Sequence, residues 1–129
     1  MSVTLELSPA QVPDFSCTPE LKDGALKLVF VGTGDGSAIQ LLADYLKRVH
    51  AEATRLTLRE VSCDFQRLMF MNSSCFKAFV MWIDTVKNAA QPYRIRFVTE
   101  PEQHWQRRSL EALRRLAGSV VTVEAAPSA

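Results

Sequence analysis

The alternation of strand-like and helix-like segments after residue 24 constrains the fold of this chain more than any other feature. Apolar or alternating segments rich in β-branched residues predict strands at 25–31, 55–65, 93–100 and 119–125. Between them, apolar residues recur at helical spacing from residue 37 to about 53, from 74 to before Pro92, and from Pro101 to before Gly118. Because crossovers between parallel strands are right-handed, this order predicts an α/β domain with a largely parallel sheet.

A hairpin is predicted ahead of this alternation. Asp23-Gly24 is its turn, because glycine readily adopts the positive φ of tight hairpins. Pro19 cannot donate to a strand ladder, so the strand before the turn is expected at an edge of the sheet. The strand after it, 25–31, is too apolar for the surface and is expected to be central. The predicted order is β-β-α-β-α-β-α-β, in one domain at 14–124 between an N-terminal extension at 1–13 and a tail at 125–129.

Length and charge exclude several classes of partner. A chain of 129 residues with a net charge of +1 is expected to form one domain and lacks the basic footprint of nucleic-acid binding. The N-terminal residues do not resemble a signal peptide, and no apolar run approaches about 20 residues, so no membrane insertion is predicted. The three cysteines have no CxxC spacing, which favours reduced thiols in the cytoplasm over disulfides or zinc. We expect no metal and no cofactor, since His50 and His104 belong to different predicted helices.

Two loops are predicted at the carboxyl ends of strands, where functional groups collect in such sheets. The first is "GTGDGS" at 32–37, in which Ser37 is a candidate N-cap for the first helix. The second is "MNSS" at 71–74, where Ser73 and Ser74 begin the second helix. Free backbone N–H groups and the positive end of the helix dipole favour an anion at such a position, including a phosphoserine. Simple capping of the helix by Asn72 and the serines is the other interpretation.

The sequence around the double serine resembles a known family. "LMFMNSSC" at 68–75, followed by an apolar helix, is similar to the strand–serine–helix joint of anti-sigma factor antagonists within the STAS domain family. "VGTGDGSA" at 31–38 resembles the turn after the second strand of that family, with Gly32 and Asp35 in matching places. The resemblance covers roughly residues 15–123. It implies a STAS-like α/β fold and a non-enzymatic regulator that binds a partner serine kinase, an anti-sigma-like regulator or a multiprotein signalling complex.

The resemblance also implies roles for individual residues. Ser73 matches the phosphoacceptor, Ser74 matches the second serine, and Asp35 matches the acidic residue that faces the serine loop. The sequence departs from the family pattern at two nearby positions, where Asn72 replaces the usual Asp and Cys75 the usual Gly. The chain also ends soon after the last predicted strand, so a family-like C-terminal helix is expected to be short or missing. We assign Asp35, Asn72 and Cys75 to support of the loop, and we expect the Cys75 thiol to face the core.

A partner-binding surface is predicted along the second helix and the two loops. Met81 and Trp82 are large apolar residues expected beside the polar face of this helix, where they would mark a contact surface. The remaining candidates for partner contacts are Gly34, Gly36, Ser74 and Lys77.

Three other functions remain open. A constitutive interaction or scaffold domain would keep the fold without the phosphorylation switch. A small-ligand or nucleotide-binding domain would use the loops at 32–37 and 71–74 as two walls of a pocket. An enzyme ranks last, because no set of nucleophile, base and orienting residue can be assembled from the sequence; "SCFK" at 74–77 matches a penicillin-binding motif only formally.

Overall fold

A computed structural model describes residues 4–126 and confirms the predicted α/β architecture. The elements are β1 Ala10–Val12, β2 Phe15–Lys22, β3 Ala25–Gly34, α1 Ile39–Arg55, β4 Glu60–Met71, α2 Ser73–Lys87, β5 Arg94–Thr99, α3 His104–Leu116 and β6 Val121–Ala125. The six strands form one sheet in chain order. β1, β2 and β3 pair antiparallel, and β3 to β6 pair parallel.

The N-terminal extension lies along the edge of the sheet as a short strand, β1, which is absent from the predicted order of elements. Residues 10–12 pair with 15–17 of β2, so the sheet begins before residue 14. Pro19 lies beyond this pairing and opposite Leu28 of β3, at an edge as expected. Of the predicted tail, Ala125 belongs to β6, whereas 127–129 and the first three residues of the extension lie outside the described residues.

Positive φ angles occur on both sides of β3, in the β2–β3 turn and at the irregular end of the strand. Asp23 and Gly24, with φ of 51° and 77°, form the predicted hairpin turn. Gly32, with φ of 101°, lies where the β3–β4 register shifts. A Cβ atom on Gly32 would stand 2.1 Å from the carbonyl oxygen of Asp14, so the close approach of these two backbone segments requires glycine.

Several predicted element boundaries were wrong. β3 continues to Gly34 rather than ending at residue 31, so the loop that follows it is shorter than predicted. Ser37 does not cap α1: the N-cap is Ala38, without a side-chain bond, and the Ser37 hydroxyl bonds Asp35 instead. β4 lies at 60–71 rather than 55–65, because α1 continues to Arg55 and a register shift hides the strand pattern beyond Asp64. α3 begins at His104, and Pro101 lies in the turn before it.

An aromatic cluster lies at the centre of the core. Phe79 of α2 packs against Phe30, Phe65 and Phe97 of three neighbouring strands, with ring centroids 5.5, 5.5 and 6.0 Å away in edge-on geometry. These four rings belong to one continuous core with the buried side chains of all three helices. This packing fixes α2 over the middle of the sheet and places its N-terminus at the carboxyl end of β4. Within residues 4–126, no helix has the length and apolar character needed to cross a bilayer.

Candidate functional site

The β4–α2 joint is built around Asn72. This residue has extended backbone angles, and its side-chain oxygen accepts a hydrogen bond from the Cys75 N–H at 2.9 Å. Its own N–H donates to the Gly34 carbonyl at 2.8 Å, which ties the joint to the end of β3. Asn72 is therefore the N-cap of α2, and its neutral amide makes the capping bond that an Asp carboxylate could also make at this position.

The double serine occupies the first two positions of α2. Ser73 and Ser74 are both exposed. Because Asn72 caps the helix, neither hydroxyl is needed to begin it. The first turn of α2 contains no acidic residue, so the positive end of the helix dipole is not offset by a carboxylate in that turn. This site can accept a negative group on either serine.

The loop after β3 adjoins this joint. The Cys75 Sγ lies 3.7 Å from the backbone oxygen of Asp35. The Asp35 carboxylate accepts hydrogen bonds from the Ser37 N–H at 3.0 Å and the Ser37 hydroxyl at 2.7 Å. These bonds hold the pKa of Asp35 below its usual value. The structure thus brings together Asp35, Asn72 and Cys75, the three residues predicted to support the loop.

The Cys75 thiol faces the interior, as predicted. Cys75 is 0% exposed, and its side chain packs against Gly34. A Cβ atom added to Gly34 would lie 3.5 Å from the Cys75 Sγ. Burial, with a smaller contribution from the Asp35 charge, raises the thiol pKa, so the sulfur stays protonated at neutral pH. Gly34 is itself buried beneath this contact, so its predicted exposure to a partner was wrong. Gly36 is exposed, with nothing within 4 Å of the Cβ position.

The outward side of α2 continues from the serines. Lys77 is exposed, and Met81 is 60% exposed one helical turn further along. The predicted exposure of Trp82 was wrong, because its side chain is 4% exposed and its indole N–H donates to the Tyr93 hydroxyl at 3.0 Å. Trp82 follows Phe79 by three residues and so shares its buried side of the helix.

Sequence reasoning missed two exposed apolar residues at the end of β4. Met69 and Phe70 are 57% and 50% exposed, immediately before the joint. The Trp105 indole N–H donates to the Met69 carbonyl at 2.9 Å, which fixes the start of α3 beside this segment. The available signal was the unbroken apolar run at 68–71, in which not every side chain of a strand can face the core. Met69 and Phe70 add two exposed apolar side chains to the segment that leads into the serine joint.

A second apolar feature joins α2 to α3. Met81 and Leu116, both more than half exposed, line a cavity of ≈ 380 Å³ between the two helices. Asp84 and Lys87 provide its charged lining. No group of three or more His, Cys, Asp or Glu side chains in residues 4–126 is arranged to hold a metal ion. The arrangement offers an exposed serine pair and apolar contact surface.

Solved structures provide the comparison with known proteins. An anti-sigma factor antagonist from Mycobacterium paratuberculosis is similar with a TM-score of 0.66 at 14% identity, over 85% of each chain. The anti-sigma factor antagonist SpoIIAA in its unphosphorylated form gives 0.54 at 16% identity, over 83% of this chain and 86% of the other. A structure of the diguanylate cyclase SiaD with its activator SiaC from Pseudomonas aeruginosa gives 0.57 at 17%, over 87% and 92%.

No family model and no curated protein sequence matches the chain. The similarity is therefore one of three-dimensional structure, and it extends over most of the described sheet and helices. The resemblance noted at residues 31–38 and 68–75 is confirmed at the level of the fold: the chain adopts the STAS fold of anti-sigma factor antagonists.

Proposed function

We propose that this protein is a non-enzymatic cytoplasmic signalling protein that binds a partner serine kinase or anti-sigma-like regulator. Phosphorylation of Ser73 switches this binding, with Ser74 as the second candidate acceptor. The observation that carries the proposal is the exposed position of Ser73 at the N-terminus of α2, where the cap is supplied by another residue.

The two departures from the family pattern are compatible with this function. Asn72 caps α2 without adding a carboxylate, so a phosphate on Ser73 would meet no negative charge from its neighbour. Cys75 lies within the helix and does not have a positive φ, so a glycine is not required there. With Asn72 and Cys75 in place, Ser73 is still exposed to a kinase and still lies at the positive end of the α2 dipole.

The surroundings of Ser73 supply the contact surface. Lys77 and Met81 continue along the same side of α2, and Met69 and Phe70 lie just before the joint. A phosphoserine brings roughly −1.5 to −2 charges at neutral pH, which an apolar interface excludes. The unmodified protein is therefore the form expected to bind through this surface. The complex of SiaD with its activator SiaC and the unphosphorylated form of SpoIIAA support a protein partner and a phosphorylated state as proposals for this chain.

The first test is mass spectrometry of the protein isolated from its native cell under several growth conditions. Trypsin is expected to release residues 68–77, a peptide that contains both serines. Fragmentation between Ser73 and Ser74 assigns the phosphate, and a Ser74→Ala variant serves as the matched control. A condition-dependent phosphorylated fraction at Ser73 supports the switch. Absence of phosphate from both serines under every condition contradicts it.

The constitutive interaction domain is the second candidate. It rests on the exposed apolar residues Met69, Phe70 and Met81, which are available without any modification. It predicts that partner binding is the same for Ser73→Ala and Ser73→Asp. The pocket proposed between the two loops has no such support, since none of the five main cavities in residues 4–126 is lined by residues 32–37 or 71–74.

A further inference from the structure

A separate apolar groove lies between α1 and α2. Its volume is ≈ 230 Å³. Leu46 and Trp82, both buried, line it from the two helices, and the small side chains of Ala43 and Ala78 leave the space open. The volume lies below the range of about 300–1,000 Å³ typical of drug-sized ligands, so the groove fits a smaller molecule.

Two cationic or donor side chains line the same groove. Lys47 and His50 are three residues apart on α1 and therefore adjoin each other on its surface. Lys47 forms no ion pair within residues 4–126, and the nearby Asp44 accepts a hydrogen bond from Gln40 at 3.0 Å. The groove thus combines apolar walls with an unpaired ammonium group.

A hydrogen-bond chain orients the His50 ring. The Trp82 indole N–H can only donate, so the Tyr93 oxygen accepts from it at 3.0 Å. Tyr93 then has one hydrogen to give, and His50 Nδ1 lies 2.8 Å from its oxygen. In a neutral ring that accepts this hydrogen at Nδ1, the proton belongs to Nε2. In that tautomer His50, which lines the groove together with Lys47, carries its N–H donor at Nε2.

We propose that the α1–α2 groove binds a small organic carboxylate with an apolar body. The body packs against Leu46 and Trp82, and the carboxylate bonds the Lys47 ammonium and the His50 Nε2–H. Charge favours this ligand over a neutral one, because Lys47 is the cation of the groove and no acidic residue lines it. Ser73 does not line the groove, whereas Met81 of the proposed contact surface does, so the groove adjoins that surface without containing the proposed phosphoacceptor.

Trp82 makes the proposal directly measurable. The chain has two tryptophans, and Trp105 lines none of the main cavities in the described part of the chain. A Trp105→Phe variant, checked for folding by circular dichroism, leaves Trp82 as the only indole reporter. This variant is titrated with octanoate and phenylacetate, and with the matched neutral octanamide and phenylacetamide. Calorimetry on the unsubstituted protein repeats the titrations without any substitution.

The expected result is a saturable change in Trp82 emission with at least one of the acids, with its matched amide binding roughly fivefold more weakly, the effect of an exposed ion pair. Lys47→Met should remove this preference, whereas Lys22→Met, a cation away from the groove, should keep it. Ala43→Leu should fill the groove and abolish binding, and Ser73→Asp should leave binding unchanged.

Three results would overturn the site. They are the absence of saturable binding of either acid by both methods, equal affinity for acid and amide, and unchanged binding in Ala43→Leu. Because Ser73 is outside the groove, failure here leaves the phosphorylation proposal intact, and failure of that proposal leaves the groove intact.

Discussion

Asn72 and Cys75, the two residues that depart from the family pattern, are joined by a single hydrogen bond. The Asn72 side-chain oxygen accepts from the Cys75 N–H at 2.9 Å, and the Cys75 thiol packs below against the end of β3. One residue thus caps α2 and the other anchors its first turn. Together they present Ser73 and Ser74 without using either hydroxyl for capping.

Removing the Asn72 cap should destabilise the protein. Asn72→Ala is expected to lower the free energy of unfolding by about 1 kcal/mol, because the N–H of Cys75 loses its acceptor. Asn72→Asp should match or exceed the unsubstituted protein, since a carboxylate also caps and interacts favourably with the helix dipole. Urea denaturation of both variants checks this, with Ser74→Ala as a control. An Asn72→Ala variant as stable as its parent would show that the cap contributes nothing.

Gly32 is predicted to be the least replaceable of the three glycines at the end of β3 and in the loop that follows. In Gly32→Ala the new methyl would meet the Asp14 oxygen at 2.1 Å, and φ is 101°. The strain should cost about 1–3 kcal/mol or more, or prevent folding. Gly36→Ala is the matched control, because nothing lies within 4 Å of its Cβ position. Thermal unfolding of the two variants should separate them clearly, and equal melting temperatures would contradict the close approach at Gly32.

Periodicity and turn chemistry were enough to predict the order of elements from β2 onward. The Asp23-Gly24 hairpin and the alternation of strands with helices are local patterns, and both are present as expected. β4 was misplaced because its register shift near Asp64 interrupts the alternation on which strand prediction depends. The pairing of β1 with β2 depends on contacts that no local pattern reveals.

The candidate site was predictable in position but not in the direction of each side chain. Val80, Met81, Trp82 and Ile83 form a continuous apolar run, so the pattern does not tell which residue faces outward. The hydrogen bond to Tyr93 and the packing against Phe79 decide that Trp82 is buried. The Ser37 hydroxyl could have capped α1 or bonded a nearby side chain, and the local bond to Asp35, two residues earlier, replaces the cap.

A negative charge at Ser73 should stabilise the isolated protein. Ser73→Asp is expected to raise the free energy of unfolding by about 0.3–1 kcal/mol at low salt, because the charge meets the positive end of the α2 dipole. The gain should shrink as salt screens the interaction. Denaturation at low and high ionic strength measures it, with Ser73→Ala as the neutral control. A destabilised Ser73→Asp variant at low salt would argue against an anion at this position.

The buried bond between Trp82 and Tyr93 should matter for stability. Tyr93→Phe leaves the Trp82 N–H buried without its acceptor, at a cost of about 1–3 kcal/mol. Met81→Ser, one residue away on the exposed side of α2, should change the free energy of unfolding by no more than about 0.5 kcal/mol. Chemical denaturation of both variants tests the assignment of Trp82 to the core. A larger loss of stability in Met81→Ser than in Tyr93→Phe would contradict the burial of Trp82.

The Asp35–Ser37 turn should make part of the stability depend on pH. The Ser37 hydroxyl and N–H lower the folded-state pKa of Asp35, so the ionised carboxylate is favoured in the native protein. This contribution is complete above the unfolded-state pKa and is lost as pH falls through the lower folded-state pKa. Ser37→Ala removes the hydroxyl bond but keeps the backbone bond, so it should raise the Asp35 pKa part of the way to its usual value. Carbon-detected NMR titration of the Asp35 carboxyl group in the parent protein and in Ser37→Ala measures both effects. An unchanged Asp35 pKa in Ser37→Ala would mean that the hydroxyl does not hold the turn beside the serine loop.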